Sequence, residues 1–114
     1  MNDNCLFCRM SSGEVPVDKV YEDEQVFAIR DINPRAPVHV MVIPREHLAS
    51  AAVLTEANSG LLSTMIATAN QVAKTLGIAE SGYRLAFNIG NDGGQTIYHL
   101  HLHVLGGREL GPEG

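Results

Sequence analysis

The chain has 114 residues, 45% hydrophobic and 18% charged, the composition of one globular domain over 1–114 and not of a disordered chain. Its net charge of −5 comes without a lysine or arginine run, which argues against a nucleic-acid partner but not against a small phosphorylated ligand held by backbone N–H groups. No apolar stretch reaches the roughly 18 residues that span a membrane, and the polar start Met1-Asn2-Asp3-Asn4 is unlike a signal peptide, so no membrane partner and a cytoplasmic location are expected.

The pattern over 5–12 predicts a short helix stopped by Gly13. Strands are expected over 17–21 and 24–30, around the polar turn Glu22-Asp23. The segment from Asp31 to Pro37 is a stiff loop, because Pro34 and Pro37 fix φ and push Asn33 and Ala36 toward extended backbone. Val38 to Ile43 is a β-branched run ended by Pro44, apolar on both faces, hence a strand in the middle of a sheet. Residues 55–76 carry the one strong helical stripe, running from Leu61 through Met65, Ala69 and Val72 to Leu76. Thr55 is the expected N-cap and Gly77 the stop. A strand over 83–88, the glycine-rich loop 90–94 and a last strand over 98–105 complete the chain. Short connections favour antiparallel pairing, so the expected class is α+β: a five-stranded antiparallel sheet with one long and one short helix.

The last strand is the informative one. In His99-Leu100-His101-Leu102-His103-Val104-Leu105, alternate residues of a strand share a face about 6.6–6.8 Å apart. The three imidazoles then point one way, and Leu100, Leu102 and Val104 point into the core. Such a row suits metal ligation, or nucleophilic and acid–base work near neutral pH. The loop before it, Gly93-Gly94-Gln95-Thr96, could present consecutive N–H groups as an anion nest beside the imidazoles. A glycine pair by itself marks no more than a tight turn.

With these parts in place the sequence resembles the histidine triad (HIT) nucleotide-binding family, from about Cys5 to Gly107. The motif His-φ-His-φ-His-φ-φ reads H-L-H-L-H-V-L here. The stretches D-I-N-P-R-A-P-V-H at 31–39, V-I-P-R-E-H at 42–47 and G-G-Q-T-I-Y-H-L-H-L-H-V-L-G-G-R at 93–108 look like the purine nucleoside phosphoramidase branch. The resemblance implies hydrolysis of nucleoside 5′-phosphoramidates, and by extension of aminoacyl-adenylates, with no catalytic metal required. It implies that His101 is the nucleophile, forming a nucleotidyl-histidine intermediate. The His99 carbonyl would orient the His101 ring, His103 would contact phosphate oxygens or the leaving group, and His39 would be the fourth histidine near the triad. Asn88, Gly94, Gln95 and Thr96 would surround the α-phosphate, and Asp31 would take the ribose hydroxyls. The base pocket would be formed by Phe7, Met10, Val15, Ile29, Ile32 and Met41. The alternatives are dinucleoside polyphosphate hydrolysis and a non-catalytic nucleotide sensor or scaffold.

Cys5 and Cys8, the only cysteines, form a C-x-x-C pair. That is half of a tetrahedral zinc site, and too little to staple a secreted fold. The resemblance to certain HIT proteins adds His47 and His99, and so implies a structural zinc. It also implies a homodimer with a continuous ten-stranded sheet. A chain this small gains core by association, and its helix stripe is large for so small a sheet.

Overall fold

The computed structural model describes residues 4–112. A short helix, α1 (Leu6–Ser11), is followed by β1 (Lys19–Glu22), β2 (Val26–Arg30) and β3 (Val38–Pro44). A long helix, α2 (Ser59–Thr75), leads to β4 (Tyr83–Ala86) and β5 (Leu102–Gly106). The five strands form one sheet in the order β1-β2-β3-β5-β4, antiparallel at every pairing. β3 is the central strand, as its two-faced apolar run predicts. Among the described residues no helix is long and apolar enough to cross a membrane.

Strand alternation sorts the side chains into two cores. Val26 and Ala28 of β2, Val40 and Val42 of β3, and Leu100, Leu102 and Val104 pack against Met65, Ala69, Val72 and Ala73 of α2. The residues between them face the other way: Phe27, Ile29, Met41 and Ile43 join Cys5, Phe7 and Cys8 on the α1 side. All three triad histidines lie on this second face, so the expected split between imidazoles and leucines is found.

Strand ends shift by up to two residues, as at β4, which stops at Ala86 and not at Asn88, and two elements differ further from the sequence expectation. The helix over 55–76 is in two pieces. Thr55 caps a 3₁₀ turn (Glu56–Asn58) through a capping box closed by Asn58, and α2 proper starts at Ser59. The expected strand over 98–105 enters the sheet only at Leu102. Its neighbour on one side, β3, ends in Pro44, which has no N–H to give. The N–H of Leu100 donates instead to the Leu48 carbonyl at 2.7 Å, and the Pro44 carbonyl accepts from the His99 ring at 2.7 Å. Of the three histidines only His103 therefore sits in the ladder, opposite Met41 on β3 and Ala86 on β4. His99 and His101 precede the strand, held by side-chain bonds.

Candidate active site

A cleft of about 500 Å³ opens on the α1 face of the sheet, a size that suits a nucleotide-sized ligand. One end is apolar: Phe7 and Met10 of α1, Ile29 of β2 and Met41 of β3. Asp31 and Ile32 stand at one wall, and Asn88, Gly94 and Thr96 at another. His101 and His103 line it as well. Ile32 is 92% exposed, so it forms rim and not floor.

Two expected residues lie outside these walls. Val15 follows α1, where its N–H donates to the Arg9 carbonyl. Gln95 is buried, and its amide braces the loop: it accepts from the Gly90 N–H at 2.9 Å and donates to the carbonyls of Ala49 and Ile97 at 2.8 and 3.1 Å. The anion nest is also incomplete. The N–H groups of Gly94 and Gln95 donate to the carbonyls of Asn91 and Gly90, so the turn consumes them itself. Leu6, Val17, Arg30, Asn33, Arg35 and Ile97 line the cleft too and were missed in the sequence. Arg30, Asn33 and Arg35 flank Asp31 on either side, and that adjacency was the available signal.

His101 is 8% exposed. Its Nδ1 lies 2.8 Å from the His99 carbonyl oxygen. A carbonyl can only accept, so Nδ1 carries the hydrogen, and Nε2 keeps an open lone pair. Phe7 packs edge-on against this ring at 5.3 Å, and His103 does so at 5.0 Å. His103 Nδ1 in turn lies 2.9 Å from Nε2 of the buried His39. Asp31 Oδ2 is 3.5 Å from that same His39 nitrogen. Burial, with the charges of His101, His39 and Arg35 adding to it, pushes the His103 imidazole down to about 4. Burial also pushes His39 down, against the opposing pull of Asp31.

Behind the triad, Cys5, Cys8, His47 and His99 bring four ligand atoms within 4.8 Å of one another. Cys5 Sγ and Cys8 Sγ lie 3.3 and 3.6 Å from His99 Nδ1. Cys8 Sγ is 3.3 Å and His99 Nδ1 3.1 Å from His47 Nδ1. A zinc tetrahedron with ordinary Zn–S and Zn–N bonds has edges of about 3.3–3.8 Å, so the donor set is close to the geometry such an ion needs. The His99 ring supports the fit. Its Nε2–H donates to the Pro44 carbonyl, which leaves Nδ1 as a lone pair facing the sulfurs, the outer hydrogen bond expected of a metal-binding histidine. Burial raises the Cys5 thiol above its ordinary value, a shift that a bound cation reverses. The cluster can hold a metal ion.

This architecture, a triad of alternating histidines beside a nucleotide-sized cleft, is matched by known proteins. The HIT domain model matches residues 12–110, and the chain belongs to the HIT family. It is similar to the purine nucleoside phosphoramidase of Escherichia coli, with 42% identity over 98% of this chain and 94% of that one. The HIT family hydrolase from Clostridium thermocellum has the same fold at a TM-score of 0.95 and 50% identity, over 99% of this chain and 98% of that one. The histidine triad protein from Clostridium difficile also gives a TM-score of 0.95, at 38% identity, over 100% of this chain and 99% of that one.

Proposed function

We propose that this HIT family hydrolase cleaves the P–N bond of nucleoside 5′-phosphoramidates through a nucleotidyl-histidine intermediate. The observation that carries the reading is His101. Its Nδ1–H is tied to the His99 carbonyl at 2.8 Å, and its free Nε2 belongs to a residue that lines the cleft. The similarity to a purine nucleoside phosphoramidase supports the substrate class.

In the first half-reaction the His101 Nε2 lone pair forms a bond to the α-phosphorus. The P–N bond to the amine breaks, its electron pair stays on the amine nitrogen, and that nitrogen takes a proton from solvent. The His99 carbonyl stabilises the positive charge that the imidazole gains on attack. In the second half-reaction water adds to phosphorus and returns a proton to solvent, and His101 leaves as neutral imidazole. Thr96, Asn88 and His103 hold the phosphate oxygens, Asp31 takes the ribose hydroxyls, and the apolar end of the cleft takes the purine. His101→Ala is expected to abolish turnover of an AMP amidate while AMP still binds. A variant turning over at the parent rate would end the assignment.

Arg35 lines the cleft and is in no ion pair among the described residues. This cation favours a second reading, hydrolysis of dinucleoside polyphosphates, whose extra phosphates it could hold. Side-by-side turnover of an AMP amidate and a diadenosine polyphosphate separates the two.

The Cys5-Cys8-His47-His99 cluster holds a structural zinc in this reading, and the chain dimerises through the outer edge of β4 and the adjoining face of α2. Half-buried β4 side chains and Leu62, 37% exposed on α2, support that surface. Light scattering that gives a monomer at micromolar concentration overturns the dimer.

A further inference from the structure

We infer that Arg45 is a positioning residue: its guanidinium clamps the last turn of α1 to the turn between β1 and β2, and so holds the Phe7–Met10 wall of the cleft in place for a purine. The purine rests on the proposed reading of the cleft. The clamp rests on this chain's own contacts.

Helix α1 has six residues, and a helix this short is not stable by itself in water. It nevertheless supplies Leu6, Phe7 and Met10 to the cleft. At its N-terminal end Cys5 and Cys8 belong to the four-ligand cluster. At its C-terminal end the last four carbonyls have no partner within the helix and must find one outside it. Three find it nearby: the carbonyls of Cys8, Arg9 and Met10 accept from the N–H groups of Ser12, Val15 and Gly13 at 3.0, 3.1 and 3.2 Å. The fourth, on Ser11, accepts at 2.9 Å from Nη1 of Arg45, 34 residues further along the chain.

The other bonds of the guanidinium reach a rigid partner. Nε–H donates to the Asp23 carbonyl at 2.8 Å, Nη1 also to Ser11 Oγ at 3.2 Å, and Nη2 to the Glu22 carboxylate at 3.1 Å. The Asp23 carboxylate locks that turn by accepting from the N–H groups of Gln25 and Val26 at 2.8 and 2.9 Å and from the Tyr21 hydroxyl at 2.7 Å. The Arg45 N–H donates to the Gln25 carbonyl at 2.9 Å, and the guanidinium lies over the buried Phe27 ring at 5.4 Å. A weak helix end is thus tied to a braced turn. The two carbonyl bonds form the clamp, since the Glu22 side chain is 58% exposed and an exposed ion pair contributes little. A planar fork can serve both carbonyls at once, whereas a lysine ammonium is a single point charge. Arg45 is not among the residues that line the cleft, so it acts through α1. If the last turn of α1 frays, Met10 leaves the wall, and a ligand that needs the wall binds more weakly by the fraction still docked. In the proposed reading ribose and phosphate are held by Asp31, Asn88, Thr96 and His103, which are outside α1.

The test combines amide hydrogen exchange without ligand and titration with AMP and with ribose 5-phosphate. Arg45→Met keeps the stem over Phe27 and removes the donors. Its Ser12 and Gly13 amides should exchange roughly tenfold faster than the parent's or more. AMP affinity should fall about fivefold or more, with ribose 5-phosphate affinity unchanged. Glu22→Gln should match the parent in all three, and Arg45→Lys should lie between the parent and Arg45→Met. Parent-like exchange in Arg45→Met overturns the clamp. Equal losses for AMP and ribose 5-phosphate overturn the purine-side role, because general loosening would then explain both. If Arg45→Met does not fold, parent-like exchange and AMP affinity in Arg45→Lys overturn the inference. A parent that hydrolyses no amidate counts against the proposed function and leaves the exchange and binding results to decide this one.

Discussion

Acid should destabilise this fold through His103 in particular. The residue is 5% exposed, and burial, then the charges of His101, His39 and Arg35, carry its imidazole from the ordinary 6.5 down to about 4. Folding thus lowers the pKa of a base. Between pH 6.5 and about 4 the unfolded chain binds a proton at His103 that the folded chain refuses. Stability is unaffected above this window and falls as pH falls through it. At about 1.4 kcal/mol per pKa unit, the loss from this one group reaches roughly 3 kcal/mol by the lower end. His39 is lowered too, so the whole protein should fall more steeply than His103 alone requires. The assay is urea unfolding of the parent and of His103→Gln at one fixed protein concentration, from about pH 7 to about pH 4. The variant should start less stable, having lost its bond to His39. The gap should then close by about 3 kcal/mol as pH falls, because only the parent has this imidazole to protonate. Parallel pH profiles for the two proteins would refute the reasoning.

Stripping metal with a chelator should lower the melting temperature by about 10 °C or more and weaken AMP binding several-fold. Leu6, Phe7 and Met10 line the cleft from the helix that carries Cys8 and is capped by Cys5. By linkage AMP must tighten metal binding by the same factor, and an AMP titration that ignores the chelator would disconnect the two sites. Gly93→Ala should cost about 1–3 kcal/mol and loosen the cleft wall at Asn88, Gly94 and Thr96, because its Cβ would overlap the Ile89 carbonyl oxygen and lie 2.9 Å from Ile89 N. Chemical denaturation and AMP titration check this, and a variant that matches the parent in both would show that the loop has room to give.

The period-two pattern made the sheet legible. The alternation from His99 to Val104 separates the two faces even where the chain has left the ladder, because extended backbone keeps side chains alternating whether or not a neighbour pairs with it. What the sequence hid was the cause of that departure. Pro44 reads as the end of one strand, and nothing local says that it also ends the pairing of a strand more than fifty residues later. The cleft wall was legible where residues were apolar and periodic, as at Ile29 and Met41. It was not where polar side chains had two plausible duties. Gln95 stands next to Thr96 in the loop, and only the partners of its amide, Gly90, Ala49 and Ile97, show that it supports the loop and faces away from a ligand. The glycine turn misled for the same reason, since its N–H groups were available only as long as the turn's own carbonyls were ignored.

His99 shows why the triad cannot be three copies of one function. Its ring has no nitrogen left for the cleft: Nε2–H donates to the Pro44 carbonyl, and Nδ1 faces Cys5, Cys8 and His47. What it gives to the reaction side is a backbone oxygen, 2.8 Å from His101 Nδ1. That oxygen lies outside the β5 ladder, which begins only at Leu102. One proline thus has two effects that favour the site. It ends the pairing before the first two histidines, and its own carbonyl orients the His99 ring toward the sulfurs. A metal at the four-ligand cluster would then stiffen the same residue whose carbonyl aims the proposed nucleophile. With that metal bound, His99 would join the cluster and the cleft into one rigid unit, and chelation should be felt on the cleft side of the sheet.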